Sequence, residues 1–173
     1  MARLLAPLGD QRVEEAVARY REWYGAAGVF DARPYPGVPE LLRRLAAAGL
    51  ALFVATAKRV DFARTVLGHL GLAPFFRSVH GVGLDGRHAR KAELVAHLLG
   101  AEGIDPAQAV LVGDRGQDVE AARASGLRAV GVTWGYGGRG ELEDADLLCD
   151  SPGELIGLAV GEPGQPDSDG GQA

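Results

Sequence analysis

"AVLVGDRGQDVEAARASG", residues 109–126, decides how the rest of the chain is read. An apolar run climbs to Gly113, Asp114 and Asp118 follow four residues apart, and an alanine-rich segment of helical period continues to Gly126. A short apolar run that stops at glycine and acid and then turns helical marks a buried strand feeding a helix, the repeating unit of a parallel sheet. In such sheets ligands bind beyond the carboxyl ends of the strands, where both aspartates fall.

Working outward, the same alternation recurs. "LALFVAT" (50–56), "FRSVHGV" (76–82) and "RAVGV" (128–132) read as strands. "VPELLRRLAAAG" (38–49), "RVDFARTVLGHLG" (59–71), "ARKAELVAHLLGAEG" (89–103) and "DVEAARASG" (118–126) read as helices, with Gly49 placed as a C-cap. Near the start, "QRVEEAVARYREWYGAAG" (11–28) sets Val13, Val17, Tyr20 and Tyr24 at helical spacing, and Gly25 is a stop signal. Apolar strands alternating with amphipathic helices predict a doubly wound α/β fold, a parallel sheet covered on both faces. The tail "GEPGQPDSDGGQA" (161–173) has no apolar pattern, and disorder is expected there.

Composition narrows the function. At 173 residues one domain is expected. A net charge of −5 without a lysine/arginine block excludes nucleic acid as the main partner and favours a small soluble ligand. The single Cys149 excludes an internal disulfide framework and a cysteine-based zinc site, which fits a reducing cytoplasm. The apolar start "MARLLAPLGD" is short and broken by Pro7, so neither a signal peptide nor a membrane segment is expected.

Three features fall on one predicted sheet edge: Thr56 ending its strand, Lys91 opening a helix, and Asp114 with Asp118. A hydroxyl, an ammonium and two carboxylates suit a phosphate held with a hard divalent cation. The carboxylates supply the oxygens that Mg²⁺ prefers, and Thr56 and Lys91 can bind phosphate oxygens. A helix beginning after "GDRGQ" would aim free N–H groups at the same place. Plainer readings stand beside these. The two aspartates could serve only the helix N-terminus, Thr56 could simply end a strand, and Lys91 could be a solvated helix residue. Lys58, the other lysine, reads as loop surface. His69, His80, His88 and His97 are dispersed and read as surface or packing residues rather than metal ligands. Trp134 and Tyr136 read as packing at a strand end, and the glycines of "WGYGGRG" (134–140) as a flexible turn.

In this order, Thr56 in "VAT", Lys91 in "RKAEL" and "GDRGQD" resemble the second, third and fourth motifs of the haloacid dehalogenase superfamily. The likeness runs from roughly residue 10 to 158, and "GVTWGYG" (131–137) is similar to the phosphoglycolate-phosphatase-like branch. The resemblance implies a Rossmannoid core and Mg²⁺-dependent hydrolysis of a small phosphorylated metabolite. It implies that Thr56 hydrogen-bonds the phosphoryl group and that Lys91 neutralises it and orients the nucleophile. Asp114 would ligate Mg²⁺, and Asp118 would support the metal through water or position Lys91. Residues 1–35 would be the remnant of a helical cap and 36–160 a core without its first strand.

The family attacks phosphate with an aspartate in D-x-D-G-[TV] after that first strand. No such motif precedes Thr56. "DADLL" (Asp144, Asp146) comes before an apolar stretch rather than after one, and "DSDGG" (Asp167, Asp169) follows "GEPGQP", which cannot form a buried strand. Asp10 follows "RLLAPLG", but Pro7 is unsuited to a central strand and no acid stands at position 12. The expectation is therefore a chain that binds metal and phosphate but is inactive alone, or a non-catalytic phosphate-binding or interaction module. A receiver domain also places Asp, Thr and Lys at strand ends, but in a different chain order. The family's first strand lies between the strands ending here at Thr56 and Gly113. Without it, either the two halves pair directly or another chain or segment fills the gap. The helix over 12–24 would lack part of its cover, so self-association through it or through a sheet edge is expected.

Overall fold

The computed structural model describes residues 12–160. The expected disorder of 161–173, and the acids Asp10, Asp167 and Asp169, lie outside the described residues. The elements in order are α1 (Val13–Ala26), a 3₁₀ turn (Gly28–Phe30), α2 (Val38–Ala47), β1 (Phe53–Arg59), α3 (Val60–His69), β2 (Ser78–Val82) and α4 (Lys91–Glu102). They continue with β3 (Val110–Gly113), α5 (Gly116–Ala124), β4 (Arg128–Val132), a 3₁₀ turn (Arg139–Leu142), β5 (Leu147–Cys149) and α6 (Pro152–Val160).

Every strand pair is parallel, because a helix or a long connection returns the chain to the same end of the sheet each time. Period-two alternation along β4 sends Ala129 to one face and Val130 and Val132 to the other. On the first face α4 and α5 build a core from Val95, Val119, Ala121, Ala122, Leu127, Ala129 and Leu142. On the second, α2 and α6 pack Leu41, Leu45 and Leu155 on Val130, Val132 and Cys149. The doubly wound α/β arrangement is therefore present.

The strands form two ladders, β1–β2 and β3–β4–β5. Among the described residues β1 and β3 do not pair, so the two halves do not close the gap by pairing directly. Val110 and Val112 on β3 are accordingly 52% and 42% exposed. Helix α4 crosses between the halves: it packs on β1 and on α5, and Ala55 of β1 and Leu111 of β3 pack against the same core.

Some boundaries differ from the sequence pattern. β1 occupies 53–59 rather than 50–56, since Leu52 only enters the ladder by accepting the Arg77 N–H at 2.8 Å. α5 starts at Gly116, two residues before the expected start. β5 and α6 were not anticipated: β5 has three residues, too few for a period, and "PGELIGLAV" is too uniformly apolar to show a face. Helix α1 has no buried residue, and Trp23 on it is 62% exposed. Cys149 is fully buried, which raises its thiol pKa and keeps it unreactive. Among the described residues no helix is long and apolar enough to cross a membrane.

Candidate active site

Thr56 closes the regular β1–β2 ladder opposite Gly81; the register then slips and resumes at Arg59 opposite Val82. The slip turns the Lys58 N–H back onto Thr56 Oγ1 at 3.1 Å. Since that oxygen accepts, its own O–H is free to donate to a ligand. Gly81 permits the slip, because a Cβ there would stand 2.6 Å from the Lys58 carbonyl oxygen.

Lys91, the first residue of α4, reaches back across the sheet end. Its Nζ donates to Ala55 O at 2.8 Å and lies 2.8 Å from Asp118 Oδ1. Carbonyls alternate along a parallel strand, and Leu52 O points toward β2, so Ala55 O points away from it. The ammonium therefore sits on the unpaired edge of β1 and ties it to the helix that follows β3. Asp118 is 6% exposed. Its Oδ2 accepts the Arg115 N–H at 3.2 Å, while Oδ1 has no hydrogen bond of ordinary geometry and is compensated by the ammonium. Only glycine fits at 113, since a Cβ there would be 2.3 Å from the Asp118 Cβ.

Asp114 follows β3 directly, and its Oδ2 accepts the Tyr136 N–H at 2.7 Å. The loop carrying Tyr136 presses on it closely. A Cβ at Gly135 would lie 2.3 Å from Asp114 Cβ, and one at Gly137 1.6 Å from Asp114 O. Gly135 and Gly137 of "WGYGGRG" thus serve close approach, which the turn reading did not foresee, whereas Gly138 stands in open space. Thr133 Oγ1 and Arg139 Nη1 each donate to Asp150 Oδ1 at 2.7 Å, holding both ends of this loop. The Thr133 hydroxyl, helped by Arg139, keeps the Asp150 carboxyl below its ordinary range.

The aromatic pair divides. Trp134 packs into the second core, as expected, but Tyr136 does not pack: its side chain stands free at 89% exposure beside Asp114. Tyr35 meets it edge-on, with ring centroids 6.4 Å apart. Burial, then the proximity of Tyr136 and Asp114, raises the Tyr35 phenol above its usual range.

Two further expectations are corrected. Lys58 is half-buried rather than loop surface; its ammonium bonds the Tyr24 hydroxyl of α1 and lies 4.4 Å from that ring's centroid. The start of α5 is not open to a ligand, because Glu141 Oε2 accepts from Gly116 N–H at 3.3 Å and from Arg115 Nε at 2.9 Å. Glu141 was not singled out from the sequence. It arrives from the 3₁₀ turn anchored by the fully buried Leu142, and no local pattern links it to Gly116. Asp144 and Asp146 are structural, pairing with Arg123 and accepting the Ala129 N–H. The histidines are not all dispersed: His80, His88 and His97 meet beside β2.

Among the described residues no three His, Cys, Asp or Glu side chains converge as a metal cage. What the structure joins is the Lys91 ammonium, the Ala55 carbonyl next to Thr56, and Asp118, while Asp114 follows the end of β3.

Comparison with known proteins shows the family and the fold. Residues 2–132 match the haloacid dehalogenase-like hydrolase family. A 5'-nucleotidase of Pseudomonas aeruginosa is 38% identical over 133 residues, covering 77% of this chain and 60% of that protein. A phosphoglycolate phosphatase of Caulobacter vibrioides is 36% identical over 137 residues, 76% of this chain and 55% of its own length. The chain thus spans somewhat more than half of these relatives. The crystal structure of a predicted phosphatase from Clostridium acetobutylicum superposes with a TM-score of 0.80 at 33% identity, covering 83% of this chain and 67% of that one. With Thr56, Lys91 and Asp114 in the family's order along the chain and a family match over residues 2–132, this chain belongs to the haloacid dehalogenase-like hydrolases.

Proposed function

We propose that these residues form the phosphate- and Mg²⁺-binding part of a small phosphate-monoester hydrolase of the phosphoglycolate-phosphatase type, acting in the cytoplasm. The observation that carries this reading is the Lys91 ammonium, fixed on the unpaired edge of β1 by Ala55 O and Asp118. A positive charge held there, next in space to the strand residue that precedes Thr56, complements a phosphoryl group. Thr56 donates its free O–H to a phosphate oxygen, and Lys91 offsets the negative charge that builds on the group. Asp118 positions Lys91, since both of its oxygens are already engaged within the chain.

The donor chemistry at Asp114 fits Mg²⁺, which keeps several waters and needs only one or two carboxylates from the protein. Asp114 has its Oδ2 on the Tyr136 N–H, which leaves Oδ1 for a cation. When bound, Mg²⁺ supplies charge neutralisation and orientation of the phosphate. The described part of the segment 1–35, residues 12–35, belongs to a helical cap over this edge, a reading supported by the Tyr24 contact with Lys58. Exposed Trp23 and the open edge of β3 favour self-association.

Because D-x-D is absent ahead of Thr56, the 173-residue chain is expected to bind without turning substrate over. Calorimetry with inorganic phosphate and Mg²⁺, together with an aryl phosphate assay, tests the proposal. Mg²⁺-dependent phosphate binding that Asp114→Asn abolishes is expected, with no hydrolysis above the Asp114→Asn control. Binding that is indifferent to Asp114 and Lys91 would overturn it; turnover dependent on Asp114 would reassign the chain as a complete enzyme.

A further inference from the structure

Along the outer side of β2 lies a cavity of about 370 Å³, bounded by α3, β2 and α4. Its polar lining is Arg64, Ser78, His80, His88, His97 and Glu102. These residues are spread over 39 positions of sequence, from 64 to 102, and only the packing of the two helices beside one strand joins them.

Among these groups the only acid is already engaged. Glu102 Oε1 lies 2.9 Å from His80 Nε2, which is also 2.9 Å from Ser78 Oγ. Its bonds to Ser78 and then to His80 hold the Glu102 carboxyl below its ordinary range, so it remains an acceptor satisfied within the wall. The remaining groups are donors without acceptors. No carboxylate pairs with Arg64 among the described residues, and His88 and His97 contact each other face to face, with centroids 4.2 Å apart and planes 13° from parallel. The strand adds more donors. Ala55 O points away from β2 and Ala55 lies opposite His80 in the parallel ladder, so His80 faces β1 and the N–H groups of Val79 and Gly81 point to the outer edge of β2. Among the described residues β2 has no second strand neighbour to take them.

A metal does not suit this lining. Stacked imidazoles aim their nitrogens side by side rather than at one point, and no metal cage exists among the described residues. His88 also holds a left-handed backbone, φ 59°, uncommon for a residue with a side chain. That conformation places its ring on His97 at the cavity wall. Such strain is retained where surrounding structure or function requires it.

We propose that this cavity is a second ligand site, for a small multiply charged anion of the carboxylate or phosphate class, held by Arg64, His88 and His97 against the outer N–H groups of β2. The site lies on the side of β2 away from β1 and so from the Lys91 edge, and it does not depend on the phosphatase reading.

The test is site-resolved NMR on the ¹⁵N-labelled full chain without Mg²⁺, titrated with inorganic phosphate, with malonate, and with chloride at matched ionic strength. Saturable shifts at the amides of Val79 and Gly81, which line the cavity, and at the His88 and His97 rings are expected with phosphate, with malonate or with both. The anion that saturates identifies the class. Arg64→Ala, at an exposed position, should weaken that binding about tenfold or more, the usual size of a lost charge-assisted contact. His97→Ala should weaken it in the same direction, and Thr56→Ala should leave it unchanged. Shifts that merely follow ionic strength as chloride does, an absence of saturation, or saturation unaffected by Arg64→Ala would each overturn the proposal.

Discussion

The two parts of the sheet are buried to different depths. In the three-stranded part, Ala129, Val130, Val132 and Cys149 are all buried, because β4 has a strand on each side and helices on both faces. In the two-stranded part no residue of β1 or β2 is fully buried. The candidate site lies on the seam between them, where Lys91 is bonded to one part and charge-paired to the other. The difference suggests that most of the stability resides in one part, while the polar groups that face a ligand collect where backbone is left unpaired.

The strongest way to break this picture is to remove the tie. Lys91→Met leaves Asp118 buried without its counter-charge and should cost about 3–5 kcal/mol, read from urea unfolding. Adding Asp118→Leu should recover much of that loss; a single-variant cost below about 1 kcal/mol would show that the pair does not hold the seam.

Gly137→Ala comes next. Its new Cβ would meet a backbone oxygen 1.6 Å away, which cannot yield as a side chain would. A loss of about 3 kcal/mol is expected in thermal unfolding, against less than about 1 kcal/mol for Gly138→Ala, where the space is open.

A matched pair then sharpens the comparison directly. Val130→Ala in β4 should cost about 2 kcal/mol, and Val79→Ala in half-buried β2 about half as much. Hydrogen exchange should follow the same order, with β1 and β2 amides exchanging about tenfold or more faster than those of β4. Equal costs and equal protection would erase the distinction between the two parts.

The smallest effect is expected at Tyr136. Its ring is almost wholly exposed and only its backbone N–H reaches Asp114, so Tyr136→Ala should change stability by less than about 0.5 kcal/mol. A larger loss would mean that the ring contact with Tyr35 holds the loop over Asp114.

Much of the fold was legible locally. β4 occupies the residues expected of it, and α4 lies within its expected span, because a short continuous apolar run and a long stretch of helix formers are local signals that packing does not erase. β5 was not legible, since a three-residue strand exists only by pairing with β4. At the site, Lys91 and Asp118 could be named from the sequence, and their contact was one of two roles the resemblance implied for Asp118; the 2.8 Å pairing itself is seen only in the structure. Glu141 and the close approaches at Gly135 and Gly137 carried no local signal, because each answers to a residue more than 20 positions away.

The sequence by itself determined the alternation of strands and helices, the family motifs in order, and the emergence of Asp114 at a strand end, whereas Thr56 ends only the regular ladder of a strand that runs on to Arg59. These follow from the chemistry of neighbouring residues. Only the tertiary structure decided which oxygens the Lys91 ammonium would meet, that Glu141 would close the start of α5, and that three separated histidines would share one cavity. Such contacts arise where distant helices pack on a common sheet, and no window of adjacent residues carries the geometry of that packing.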